Sequence, residues 1–203
     1  IEYPCYYLDY ETVGGAIPLF NGVRPYETVP FQFSLHVQQE PNGVSEHFEF
    51  LHQEKSDPRL SLAKALLNLC GDSGSVIVYN QSFEKGCNNG LATSFPELAN
   101  DIKKINDRMI DLLTPFKSRF LYHPAQKGSA SIKAVLPAFT DQDYNDLEIG
   151  DGMLASRGYQ SYLEGKLSAD EADALMKNLQ KYCKLDTYAM VKLVNVLSDK
   201  VRM

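Results

Sequence analysis

The 203-residue chain carries an acid where acid is costly. Leu175, Leu179, Tyr182, Asp186, Met190 and Leu193 step along the last segment at helical spacing, so Asp186 falls on the apolar stripe of its helix. A buried carboxylate must be paired or must coordinate a metal. Tyr182 precedes it by one turn on the same face. In the first segment, Asp9 and Glu11 of LDYET are two residues apart and project from one face of a strand, among Tyr6, Tyr7, Leu8 and Tyr10. A third acid, Glu84, opens a helix just after Asn80 in VIVYNQSFEKG. Three acidic elements meeting at one end of a sheet would repel one another unless cations filled the centre. All-oxygen ligation suits Mg2+ or Mn2+ rather than zinc.

Each residue also has a plainer explanation. Asp186 can be a boundary acid capped by a Tyr or Lys neighbour, and Glu84 can serve only the helix dipole. The D/E-x-D/E spacing recurs at Asp146 and Glu148, so the pair at Asp9 and Glu11 gains its weight from its place on an early strand.

The elements that must position these residues read as follows. Tyr3 to Tyr10, Phe31 to Val37 and His47 to Leu51 have strand composition, the second with strict alternation. Pro58 to Cys70 reads as a helix with Leu62, Leu66 and Leu69 on one face, ended by Gly71. SVIVYN is a strand buried on both faces, and Ser82 to Thr93 a helix. Pro96 to Asp107 reads as helix, Met109 to Leu113 as strand and Ser131 to Phe139 as a short helix. SADE at Ser168 to Glu171 is a capping box that starts one long terminal helix. Three meandering strands, then mixed strand and helix, predict a three-layer α/β domain with a mixed central sheet flanked by helices.

Composition narrows the class without choosing the chemistry. A hydrophobic fraction of 44%, with no repeat and no long linker, describes one domain over 1–203. Its opening on Ile1 reads as a piece cut from a longer protein that has further domains. No apolar run spans a membrane and the first residues lack a secretory pattern, so the expectation is a soluble, cytoplasmic protein. Cys5, Cys70, Cys87 and Cys183 lie far apart and read as reduced thiols. A net charge of −6 argues against a broad basic surface for nucleic acid, but not against phosphates met through bound cations. The four histidines form neither HExxH nor a nucleophile motif, His47 and His52 read as ordinary surface residues, and GDSGS before Val76 is no phosphate-binding loop.

The order D-x-E on the first strand, Asn-x-x-Phe-acid after a later strand and Y-x-x-x-D on the last helix resembles the DEDD superfamily of 3′-5′ exonucleases, a branch of the RNase H-like fold. The tyrosine variant of the third motif resembles its DEDDy group. IPLFNGVRPYETVPFQFSLH, GSASIKAVLPAF and YCKLDTYAMV further resemble an uncharacterised bacterial family of predicted nucleases across nearly the whole chain. The resemblance implies that Asp9, Glu11, Glu84 and Asp186 hold two divalent cations, Mg2+ or Mn2+, and that Tyr182 orients the attacking water. Glu84 departs from the usual Asp. Thr12 and Asn80 match substrate-side positions, and Lys133, with Lys127 and Arg119, is a candidate phosphate contact. The substrate implied is single-stranded DNA or RNA. A catalytically degenerate binding module of the same fold is the competing expectation.

Overall fold

A computed structural model describes residues 1–201. Five strands, β1 (Cys5–Val13), β2 (Val29–Gln38), β3 (Ser45–Leu51), β4 (Ser75–Val78) and β5 (Met109–Asp111), form one sheet in the order β3-β2-β1-β4-β5. β1, β2 and β3 are antiparallel neighbours, while β4 and β5 run parallel to β1. The helices are α1 (Arg59–Leu69), α2 (Gln81–Ser94), α3 (Ala99–Asp107), α4 (Leu113–Lys117), α5 (Ile132–Phe139), α6 (Gly152–Leu163) and α7 (Ala169–Val201). This is the expected α/β architecture, with a mixed sheet between two helical layers. Among the described residues no helix is long and apolar enough to cross a membrane.

Strand parity assigns the layers. Tyr6, Leu8 and Tyr10 of β1 join Phe33, Leu35 and Val37 of β2 in a core with Leu62 and Leu66 of α1, Leu91 of α2 and Ile102 of α3. The opposite parity, Cys5 and Tyr7, packs with Val135 of α5 and Met190, Leu193 and Val194 of α7. A third core joins Val13, Val29 and Phe31 to Tyr159 of α6 and Leu179 of α7.

Several boundaries differ from the sequence reading, for identifiable reasons. β1 runs on to Val13, because β2 pairs with it throughout. β2 alternates in sequence yet is buried at all ten residues. Three of its polar side chains bond to α7: Gln32 Nε2 donates to the Leu179 carbonyl at 3.0 Å, while Gln32 Oε1 is left without a partner, and Ser34 and His36 bond the Thr187 hydroxyl at 2.7 and 2.8 Å. Met109 to Leu113 is strand only to Asp111, whose carboxylate accepts the Leu113 N–H at 2.9 Å and so starts α4. Pro96 to Leu98 is a 3₁₀ turn ahead of α3. The helix α6 was not expected. Its glycines weaken the periodic signal, although Asp151 caps it by accepting the Leu154 N–H at 2.9 Å. The surface expectation fails for His52, which is buried, as is His36. Burial and the neighbouring His47 hold His36 near a pKa of 3, so it stays neutral inside the β2–α7 interface.

Candidate functional site

The short strand β4 creates the site. It pairs with β1 only across Cys5 to Tyr7 and ends at Val78, while β1 continues for six more residues. The flank of β1 beyond Tyr7 therefore has no strand beside it on the β4 side. A cavity of about 740 Å3 occupies this notch, lined by Asp9, Glu11, Thr12, Asn80, Glu84, Lys133, Tyr182 and Asp186 among others. It lies past the carboxyl end of β4, where parallel strands of α/β sheets leave room for ligands.

Asp9, Glu11, Thr12, Asn80, Glu84, Lys133, Tyr182 and Asp186 all line this cavity, but they arrive by different routes. Asp9 and Glu11 share the parity of Cys5 and Tyr7, and so face the α7 layer. A register shift between Glu11 and Thr12 forms a bulge where β1 passes the notch; such bulges re-aim side chains next to functional sites. Glu84 comes from the opposite layer, around the end of β4. Its helix turns in through Asn80, which takes the left-handed conformation (φ 88°) and whose carbonyl accepts the Phe83 N–H at 3.0 Å. The Asn80 N–H donates to Asp111 Oδ1 at 3.1 Å, which ties that turn to β5. Asp186, Tyr182 and Cys183 sit on adjacent turns of α7 over β1.

The electrostatics are those of like charges confined together. Glu11, Glu84 and Asp186 are 5, 2 and 7% exposed. Among the described residues no lysine or arginine forms an ion pair with these carboxylates or with Asp9. Burial pushes the Glu11 carboxyl up to about 8, with the Asp186 charge adding to it and Lys133 opposing. Asp186 rises by burial to about 6, held from going further by a 2.6 Å hydrogen bond from the Tyr144 hydroxyl, by Lys133 and by Tyr182. Burial, then the neighbouring acids, raise Asp9 and Glu84 well above the ordinary carboxylate range. The same causes raise the phenols of Tyr182 and Tyr144, so both remain protonated donors. Glu84 Oε2 is buried without any hydrogen-bond partner. A fixed, buried, unsatisfied oxygen facing other carboxylates fits a divalent cation and fits little else the chain supplies.

Of the proposed phosphate contacts, Lys133 lines the cavity, with Nζ donating to the Gly150 carbonyl at 2.6 Å and lying 5.0 Å from the Tyr182 ring centroid. Arg119 and Lys127 are not among the lining residues, and Lys117 is. Three participants were missed. Tyr144 reaches Asp186 from the loop after α5, and Asp111 fixes the Asn80 turn; neither lies in a recognisable motif. Cys183 was read only as a reduced thiol, although all four cysteines are free and this one touches Asp9. Its position directly after Tyr182, one helix step off the stripe, was the available signal.

The chain belongs to the family described as a domain of unknown function, DUF2779, whose model matches residues 6–131. That span contains Asp9, Glu11, Asn80 and Glu84 and stops before α5. The chain is 27% identical, over 97% of its length, to the uncharacterized protein MG366 of Mycoplasma genitalium, and 24% identical, over 95%, to the MG366 homolog of Mycoplasma pneumoniae. It spans about a third (32%) of the length of these curated relatives. No solved structure matches it.

Proposed function

We propose that this domain is a metal-dependent 3′-5′ exonuclease of RNase H-like fold, hydrolysing single-stranded DNA or RNA to nucleoside 5′-monophosphates. The observation that carries the reading is the meeting of Asp9, Glu11, Glu84 and Asp186 in one cavity, with no ion pair to any of them among the described residues and with Glu84 Oε2 unpartnered. The strand order β3-β2-β1-β4-β5, antiparallel then parallel, supports the fold assignment. So does the placement of the three acidic motifs on β1, after β4 and on the last helix.

In this reading the four carboxylates hold two Mg2+ or Mn2+ ions. Two such cations, when bound, supply an activated water and charge stabilisation for the leaving 3′ oxygen. The chain supplies position. Tyr182, kept protonated by burial and by Asp186, orients the attacking water as a hydrogen-bond donor rather than deprotonating it. Tyr144 fixes the Asp186 carboxyl through Oδ1, leaving Oδ2 for a ligand. Lys133 is poised for a phosphate oxygen. The bulge at Thr12 presents backbone to the terminal nucleotide, and Asn80 keeps the structural part of its role, shaping the entry to α2.

Incubation with Mn2+ and 5′-end-labelled single-stranded oligonucleotides, DNA and RNA in separate arms, should give a ladder that shortens from the 3′ end. Asp186→Ala should remove it. A labelled strand that stays intact in both arms, or an Asp186→Ala variant as active as the original, would sink the reading. Binding of the strand without cleavage would instead favour the degenerate module, to which the Glu for Asp change at position 84 points.

A further inference from the structure

We propose that Cys183 is a metal ligand, and that the site takes one thiophilic divalent cation, zinc or cadmium, between Cys183 Sγ and the carboxylates of Asp9 and Glu11. The inference rests on the reading of the acid cluster as a cation site and adds to it a sulfur donor that an all-carboxylate centre lacks.

The geometry separates two kinds of ion. One ligand atom each from Asp9, Glu11 and Cys183 lie within 4.8 Å of one another, and Cys183 Sγ is 3.7 Å from Asp9 Oδ2. Bond lengths of about 2.3 Å to sulfur and 2.1 Å to oxygen at a tetrahedral angle place the two ligand atoms about 3.6 Å apart. The observed Cys183–Asp9 separation, which the protonated thiol spans as a hydrogen bond, is close to that edge. An octahedral Mg2+ with bonds of about 2.1 Å needs ligand atoms only about 3 Å apart, and magnesium gains nothing from sulfur. Position is enforced rather than accidental, since Cys183 is fully buried and α7 is pinned to β2 one turn on by Thr187 and one turn back by the Leu179 carbonyl. Glu84 Oε2, buried and unpartnered in the same cavity, independently marks a place where a cation is missing from the chain's own donors. The thiol proton leaves to solvent as the sulfur–metal bond forms. Because zinc outcompetes manganese at mixed donor sets, zinc bound here displaces the ion on which hydrolysis depends.

Cadmium reports its donors directly. Titrating the protein with Cd2+ should produce the ultraviolet charge-transfer band of a cadmium–thiolate bond and saturate at one ion per chain, and the 113Cd resonance should fall in the range of a mixed oxygen and sulfur set. Cys183→Ser should abolish the band and weaken Cd2+ at least about 100-fold, since even outer partners of metal ligands are worth 10 to 100. Cys87→Ala, which removes a core thiol, should keep it. An all-oxygen 113Cd resonance in the unaltered protein would overturn the proposal whatever the folding of the variants. Manganese binding, followed by electron paramagnetic resonance, distinguishes the two failures: Mn2+ bound with Cd2+ all-oxygen removes only the thiol ligand, whereas absence of Mn2+ binding removes the cation site itself.

Discussion

At the start of α1 the guanidinium of Arg59 is nearly as inaccessible as the acids of the cavity, yet its surroundings are opposite. Its Nε and Nη2 bond the Asp57 carboxylate at 2.7 to 3.1 Å, Nη1 bonds Ser94 Oγ at 3.0 Å, Nη2 reaches the Asn21 carbonyl at 3.3 Å, and Glu27 lies 3.6 Å away. The cavity acids face acids. Charge that serves the fold is neutralised where it stands, clamping the loop after β1 to α1 and α2. Charge left against like charge destabilises the fold, and the proposed cations are what would relieve it.

The contrast can be broken experimentally. The largest effect expected is on turnover: Asp186→Ala should lower mononucleotide release by about 1,000-fold or more, as for loss of a group acting on charge in the transition state, with the fold intact by circular dichroism. Arg59→Ala should do the reverse, costing about 2 to 3 kcal/mol of stability through the lost charge-assisted bonds to Asp57 and the bonds to Ser94 and Asn21, read by urea denaturation. Tyr144→Phe should weaken Mn2+ about 10- to 100-fold by releasing Asp186, measured by calorimetry.

Acidity sharpens the same comparison. Glu11 and Asp186 titrate higher in the folded domain, near 8 and 6, than in the unfolded chain, so the folded state binds more protons between roughly pH 4 and 8. Cation-free stability should accordingly fall as pH rises through that window and level off above it. The stabilisation added by Mn2+ should grow over the same range. Thermal melts in chelator and in Mn2+ would show it, and parallel curves would contradict it. The smallest effect is the sharpest: Glu84→Gln should raise cation-free stability at pH 8 slightly, since it removes an acid that burial and its acidic neighbours disfavour, while weakening Mn2+.

The sequence carried the parts of this arrangement that repeat. An acid on an apolar helical stripe and two acids on one face of a strand are departures from a period, and periods are readable over a few residues. So were β2, α1 and the long α7. What could not be read depends on contacts between distant segments. Tyr144 is one tyrosine among twelve until α7 is placed beside it. The alternation of β2 marks two faces without saying what covers either, and α7 covers the one that carries Gln32, Ser34 and His36. α6 has a cap but little propensity, and its place is fixed by tertiary packing, with Tyr159 stacked on Phe31 at 3.7 Å. Arg119 and Lys127 lie in or near the PAQKGSASIK segment, and nearness in sequence says nothing of the direction in which that segment turns.

The helix α7 carries Tyr182, Cys183 and Asp186 and is fastened through Gln32, Ser34 and His36 at neighbouring turns. Sliding it by a single residue would swing every one of those groups by about 100° and undo all the fastenings together. Inherited change therefore has little freedom to retune this centre by shifting its scaffold. Under the proposed function, relatives that hold different ions should differ first in side-chain length and donor atom, at positions such as 84 and 183.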